Sequence, residues 1–246
     1  EQERFITVSV HKKNVDEART FFSRVTGEIT SKLSRLNSSS NELDAAERLD
    51  VLRGFFRPEE SSLPFDLQTA MKRGHNLKDT ICPDSLEFHR DYFKMGSQYG
   101  RVLFLKDYAS YIKDSMILEL TDLNRRMMLS IDMIPVPTDE AVREVENKLL
   151  GVETNVTNWQ RRQNSNQNFS AVVPYDLEQQ RKETREMLDD LTTRDQRMLF
   201  AVVTLVHLAD SKEELDSDTE TLQSIARKHL CQLAKLSFQQ QDGLIT

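Results

Sequence analysis

The sequence predicts an α+β fold, in which helices pack on a mixed β-sheet. Several stretches place apolar residues three and four positions apart, which is the spacing of one helical face. Short alternating or β-branched runs, which are typical of strands, lie between them. Of the 246 residues, 38% are hydrophobic, which is enough for a packed core. The order of these elements allows two ferredoxin-like halves, and we set their boundary between 1–137 and 138–246.

The N-terminal quarter predicts a strand followed by two helices. Residues 5–10 alternate and are β-branched, which favours a strand. Asn14 and Glu17 have the spacing of a capping box that begins a helix, and residues 37–41 are short polar side chains that end it. The apolar face of this helix consists of Val15, Ala18, Phe22, Val25, Ile29, Leu33 and Leu36. The inward residues of the second helix are Leu43, Ala46, Leu49, Leu52 and Phe56, and Pro58 ends it.

The middle of the chain predicts a loop, a hairpin, a helix and a strand. Residues 57–90 carry three prolines and no clear period, so we expect a loop or a pair of short turns. Residues 91–95 and 101–106 then predict a β-hairpin, whose five-residue loop is 96–100. A helix over 111–123 and a strand over 127–134 follow, and Pro135 and Pro137 close the strand.

The second half begins with a long helix that we expect Thr138 to cap. Its apolar residues form a narrow seam, defined as Val142, Val145, Leu149, Val152, Val156 and Trp159. A polar stretch over 161–168 follows, and another helix begins after Pro174. The two helices predict a projecting helical hairpin. The seam is the candidate partner-binding surface, and its packing on the second helix of the same chain is the alternative.

The C-terminal part predicts a strand–helix–strand unit. Residues 198–208 are apolar on both alternating faces, which indicates a central strand covered on both sides. Ser211 and Glu214 form a capping box for the next helix. That helix is expected to bury Leu215, Leu222, Ile225 and Leu230, and a closing strand is expected over 232–239.

Several kinds of site are excluded by composition and spacing. The longest unbroken apolar run, Met198 to Val203, is far shorter than the roughly 20 residues of a membrane span. None of the 7 glycines precedes a lysine, so a phosphate-binding loop is missing and we expect no ATP hydrolysis. Two cysteines and five scattered histidines match no disulfide framework or zinc spacing. We therefore predict no catalytic, cofactor-binding or metal-binding residue, and we expect His207 to find a hydrogen-bond partner at the edge of its strand.

Charged clusters are expected to be mainly solvated. The acidic cluster after Ser211 contains Glu213, Glu214, Asp216, Asp218 and Glu220. Basic pairs occur at 12–13, 72–73, 125–126 and 161–162, although the net charge of −7 opposes a dedicated nucleic-acid binder. Arg161 and Arg162, which lie beside Trp159, are the best candidates for nucleic-acid contact. A nucleic-acid-binding module that acts through such basic pairs is the alternative function.

Several segments together are similar to those of a known family. They are residues 4–13 with 17–22, 43–49 with 55–57, 91–94, and the strand-to-helix join at 132–138. These segments resemble the N-terminal region of conjugal transfer ATPases of the type IV secretion class, the Tra/Trb/Cag-type motors of integrative conjugative elements in Gram-positive bacteria. The resemblance extends along nearly the whole chain, which we expect to be an excerpt of a longer protein.

The resemblance implies an assembly role without chemistry in this chain. In the family, a motor domain that follows this region holds the phosphate loop, so ATP and magnesium are expected only there. The N-terminal region is expected to dock the motor against inner-membrane subunits of the transfer channel and to contribute to self-association. The implied location is cytoplasmic, peripheral to the inner face of the cell membrane.

Overall fold

The computed structural model describes residues 2–57, 66–74, 76–109, 111–166 and 172–245. The helices are α1 (Val15–Arg35), α2 (Ala45–Phe56), α3 (Leu67–Lys72), α4 (Leu77–Ile81), α5 (Asp114–Thr121), α6 (Thr138–Ser165), α7 (Tyr175–Thr192), α8 (Lys212–Lys228) and α9 (Gln240–Ile245). The strands are β1 (Leu86–Phe88), β2 (Phe93–Met95), β3 (Gln98–Asp107), β4 (Met127–Pro135), β5 (Leu199–Ala209) and β6 (Gln232–Lys235). The α+β class is confirmed.

The described strands form one six-stranded sheet in the order β1-β2-β3-β5-β4. All pairings are antiparallel, so the sheet is not of mixed direction. β2 and β6 follow one another along one edge of β3, and β5 takes its other edge. Strands from both expected halves therefore alternate within one sheet. Among the described residues, β4 pairs with β5 alone, which leaves its outer edge open.

Both faces of the sheet are covered by helices. On one face, Leu103 and Leu205 pack with Met116 and Leu120 of α5 and with Leu222 of α8. The cluster on the other face joins Phe93, Val102, Val206 and Leu208 to side chains from α2 and α9. Because β3 and β5 contribute to both clusters, they form the centre of the core.

The predicted strand over residues 5–10 is wrong. These residues have no regular secondary structure, because no neighbouring strand pairs with them among the described residues. α1 begins as expected, and the Asn14 side chain accepts from the backbone N–H of Glu17 at 2.9 Å. The helix is followed by Asn37, whose φ of 54° is left-handed.

The middle of the chain is more regular than expected. The described part of 57–90 contains α3, α4 and β1, whereas 58–65 with Pro58 and Pro64, and residue 75, lie outside the described residues. The hairpin of β2 and β3 is confirmed, but its loop is the two residues 96–97, because Met95 already pairs with Gln98. Gly96 has a φ of 59°, which a glycine adopts without strain.

The helical hairpin of α6 and α7 is confirmed. Thr138 is the first helical residue instead of the cap, and Pro137 holds the cap position without a side-chain bond. At the base of the hairpin, Ala141 and Val145 of α6 pack with Leu191 of α7 and with the sheet-flanking residues Val136 and Met198. The hairpin therefore starts where β4 ends and returns where β5 begins.

The C-terminal unit differs from expectation at three places. β5 is central, but it is buried only over 203–209, and residues 199–202 are exposed. Leu230 is 83% exposed, because it follows the end of α8 with a left-handed φ of 58°. β6 ends at Lys235, so the predicted strand over 232–239 is too long, and α9 follows it. The Ser211 cap is confirmed, since its side chain accepts from Glu214 N–H.

Candidate functional site

A buried polar cluster lies between the sheet and α8. Arg101 of β3 is fully buried and stands directly opposite His207 of β5 in the strand register. Both side chains reach Thr219 on α8, which is itself buried. An arginine is almost never buried without partners, so its contacts decide what the cluster can do.

Arg101 distributes its donors over the loop before β2 and helix α8. Nε donates to the carbonyl of Asp91 at 2.8 Å, one Nη to Thr219 Oγ1 at 2.6 Å, and the other Nη to Asp216 Oδ1 at 2.8 Å. Lys212 Nζ donates to both carboxylate oxygens of Asp216, at 2.8 and 2.7 Å. The hydrogen bond from Lys212, with help from Arg101, lowers the pKa of Asp216 to about 2. The carboxylate therefore stays ionised and binds α8 to the guanidinium.

His207 is held in one tautomer. Thr219 donates its hydroxyl proton to the Leu215 carbonyl at 2.7 Å, so its oxygen must accept from His207 Nε2 at 3.1 Å. Nδ1 then carries a lone pair, and it has no hydrogen-bond partner among the described residues. Burial, together with the charge of Arg101, lowers the pKa of His207 to about 4. The ring is therefore neutral at pH 7, and the hydrogen-bond partner expected for it is Thr219 of α8.

The acidic cluster of α8 is paired, and the expectation of a solvated face is wrong for three of its members. Glu214 and Asp218 each lie 2.9 Å from Arg125, and Asp216 binds Lys212 and Arg101. Arg101 therefore forms a clamp between α8 and the sheet through Asp216 and Thr219, and Arg125, which precedes β4, adds pairs to Glu214 and Asp218.

Sequence reasoning missed Arg101. Arg101 is one of two cations in β3, with Lys106, and a cation in a strand usually faces outward; only the burial of β3 on both faces reverses that assignment for Arg101. The available signal was the opposite charge on the N-terminal half of α8, which includes Asp216.

The predicted partner seam lies mostly inside the hairpin. Val145, Val152 and Val156 are buried, whereas Val142, Leu149 and Trp159 are partly exposed. The seam faces α7, where Thr184 and Leu191 are buried, which is the alternative left open by the sequence. Arg161 and Arg162 are exposed in the last turns of α6, at the end far from the sheet.

Metal and membrane sites find no support in the described part of the chain. No group of three His, Cys, Asp or Glu side chains there could hold a metal ion. None of the helices within the same ranges combines the length and the apolar character that crossing a bilayer requires.

Comparison with known proteins returns no matching family model and no similar curated protein. Surfaces that this chain leaves open are therefore the guide to function.

Two apolar surfaces are open. The first is the stripe of α1: none of its 21 residues is buried by the described part of the chain. The second is the outer half of the β4–β5 ribbon, where Met133 is 58% exposed and Phe200 is 51% exposed. Single exposed apolar residues are ordinary, but contiguous ones mark interaction sites.

Proposed function

We propose that this chain is a non-catalytic assembly and docking domain of a conjugative DNA-transfer ATPase of the type IV secretion class. In this proposal it holds the parent motor against membrane subunits of the transfer channel, and the parent protein is located at the cytoplasmic face of the membrane. The chain contributes binding surfaces, and ATP hydrolysis belongs to a motor domain elsewhere in the parent protein.

The observation that carries the proposal is the uncovered stripe of α1. Phe22, Val25, Ile29 and Leu33 lie on one face over about three turns, and each keeps part of its surface in water. Helices in proteins gain most of their stability from packing such a face. A partner that presents an apolar groove or helix would supply that packing.

The electrostatics of α1 suit a protein partner. Asp16 and Glu17 lie in its first turn, and Lys32 and Arg35 lie in its last turn. This arrangement complements the helix dipole, so the helix can persist while its apolar face is available. In helix-in-groove recognition, the partner contacts apolar residues that are spaced three and four positions apart on one face.

The proposal is tested in cells that carry the parent protein and its transfer channel. The double variant Phe22→Asp with Ile29→Asp places two charges in the stripe and should abolish co-purification of the parent with its membrane subunits. DNA transfer should fall by at least tenfold, while ATP hydrolysis by the purified parent stays unchanged, because no residue of α1 is buried by the described part of the chain.

A matched control adds the same charge to the other side of the helix. Thr20 and Ser31 are exposed and lie about half a turn away from the stripe. Thr20→Asp with Ser31→Asp should leave transfer and co-purification intact. Equal losses in both double variants would contradict docking through the stripe.

The family assignment has a separate test. A Gly-x-x-x-x-Gly-Lys-Ser/Thr stretch encoded in the reading frame after Thr246 would support a parent motor. Saturable ATP binding by the purified 246-residue chain would contradict a domain that serves only for docking.

A further inference from the structure

The outer edge of β4 has a defined set of open hydrogen-bonding groups. Leu208 N–H donates to Arg126 O, and Val136 N–H donates to Met198 O. In an antiparallel pair, bonded residues alternate with non-bonded ones, so even-numbered residues of β4 direct their N–H and C=O groups to β5. The residues that direct theirs to the open edge are therefore Met127, Leu129, Ile131, Met133 and, for its carbonyl alone, Pro135.

Apart from Pro135 at its last position, this edge lacks the usual protection against pairing with another strand. Native edges are guarded by lysines, bulges or short length. β4 has nine residues, contains neither Lys nor Arg, and pairs with β5 in an unbroken register. Its one charge, Asp132, accepts a hydrogen bond from Ser130 Oγ at 2.9 Å. Ile134 is 66% exposed beside that edge.

We propose that β4 pairs antiparallel with β4 of a second copy of this chain, about a twofold axis at Ile131. In this register Ile131 lies opposite itself, Leu129 lies opposite Met133, and Met127 lies opposite Pro135. Each of these pairs joins outward-directed backbone groups, so the register uses the whole edge. The result is one continuous sheet across both copies, with an isologous interface.

Charge complementarity selects the second copy and this register. Asp132 lies opposite Ser130 of the other chain, so no second charge faces it in this register. A shift that centres the axis on Asp132 would instead place two carboxylates face to face, which is destabilising. Arg126 directly precedes the strand, and the acidic first turn of α6 follows it. Antiparallel pairing therefore brings the basic start of one strand beside the acidic end of the other.

The inference goes beyond the proposed function, because it uses neither α1 nor a channel subunit. Dimer formation and docking can fail independently, since the first is measured on the purified chain and the second in cells.

The test begins with the mass of the purified chain in solution. Light scattering over a concentration series should show a shift from 28.6 kDa towards twice that mass. Ile131→Pro removes an N–H that points to the open edge and that makes no bond to β5. This variant should remain at the monomer mass while its thermal unfolding stays cooperative.

A second pair of variants tests the register. Cys82 is exposed, so Cys82→Ser provides the background, and buried Cys231 is retained. Ile131→Cys should form a disulfide-linked dimer on mild oxidation, because opposed Cα atoms in a bonded pair are about 5.5 Å apart. Met133→Cys should not, because it would lie about 13 Å along the strand from its copy.

The control Phe200→Lys adds a charge to the exposed part of the ribbon, opposite Ile134 and not opposite Asp132, and it should leave the dimer intact. A wild-type chain that stays monomeric at the highest soluble concentration overturns the proposal. So does a dimer that survives Ile131→Pro, or equal cross-linking by the two cysteine variants. An extended peptide from another protein would then be the remaining kind of occupant for this edge.

Discussion

Helices α1 and α8 have the same local sequence features, but they differ in how much of their surface the described chain buries. Each begins at a polar side chain that accepts from the N–H three residues on, Asn14 in one and Ser211 in the other. Each has acidic residues in its first turn and basic residues in its last. α8 buries four residues against the sheet, whereas α1 buries none within the described chain.

The difference shows what an amphipathic pattern encodes. Spacing and caps specify that a helix forms and which face is apolar, but they do not specify what covers that face. For α8 the cover is supplied by β3 and β5, and a polar clamp sets its position. α1 has no comparable clamp, since its described side-chain hydrogen bonds are with its own first turns.

The largest effect that would test this comparison is removal of the clamp. Arg101→Ala should lower the free energy of unfolding by about 3 to 5 kcal/mol, because it leaves a void and strips donors from Asp91, Asp216 and Thr219. Urea unfolding measures it. Lys212→Ala, which removes the more exposed cation on the same carboxylate, should cost about 1 kcal/mol or less. Equal costs would mean that packing alone positions α8.

Truncating one apolar residue in each helix sharpens the same contrast. Leu222→Ala in α8 should cost about 3 kcal/mol, because Leu222 is 1% exposed and its loss opens a cavity in the core. Ile29→Ala in α1 should cost less than about 1 kcal/mol, because half-exposed sites lose little burial. Chemical denaturation of the two variants gives the comparison directly. A cost at Ile29 that matched the one at Leu222 would show that α1 packs within the chain.

The smallest expected effect is a pH dependence of the free energy of unfolding, which arises from His207 beneath α8 and not from α1. The pKa of His207 is about 4 when folded and about 6.5 when unfolded, so the unfolded chain binds the proton more readily. Stability from this group is therefore complete above pH 6.5 and falls as the pH drops towards 4. Between pH 7 and pH 5 the loss should be about 2 kcal/mol.

His207→Gln serves as the comparison for that pH dependence. Its unfolding free energy should lose most of the slope between pH 7 and pH 5, whatever its value at pH 7. Asp216 does not interfere in this window, because its depressed pKa of about 2 makes its contribution change only in stronger acid. A wild-type slope that persisted in the variant would contradict the role given to His207.

The sequence predicts the helices better than it predicts the elements that pack against them. Local residue patterns predict the caps at Asn14 and Ser211 and the central position of β5. Residues 5–10 have the composition of a strand, but a strand exists only if another one pairs with it, and pairing is a long-range property. The loop predicted for the β2–β3 hairpin is too long for a similar reason, because the pairing register of the two strands decides where the turn begins.

The candidate surfaces and the clamp were harder to predict. Val145 and Val156 were correctly grouped as one face, but the choice between a partner and α7 depends on how α7 returns. Arg101 and Thr219 are 118 positions apart, and no local pattern joins them. The open edge of β4 also needed the strand order, because the same nine residues would be protected if another strand followed them in the sheet.

The way in which α6 and α7 are connected to β4 and β5 has one more consequence. Pro135 pairs with Leu199, and the Val136 N–H already donates to Met198 O, so the two strands are joined as neighbours before the helices begin. Residues 137–197 are thus an insertion into the loop of a β-hairpin that β4 and β5 form. Such an insertion can lengthen, shorten or be exchanged for a short linker while the sheet keeps its register, which makes the hairpin the part of this architecture that can most readily vary.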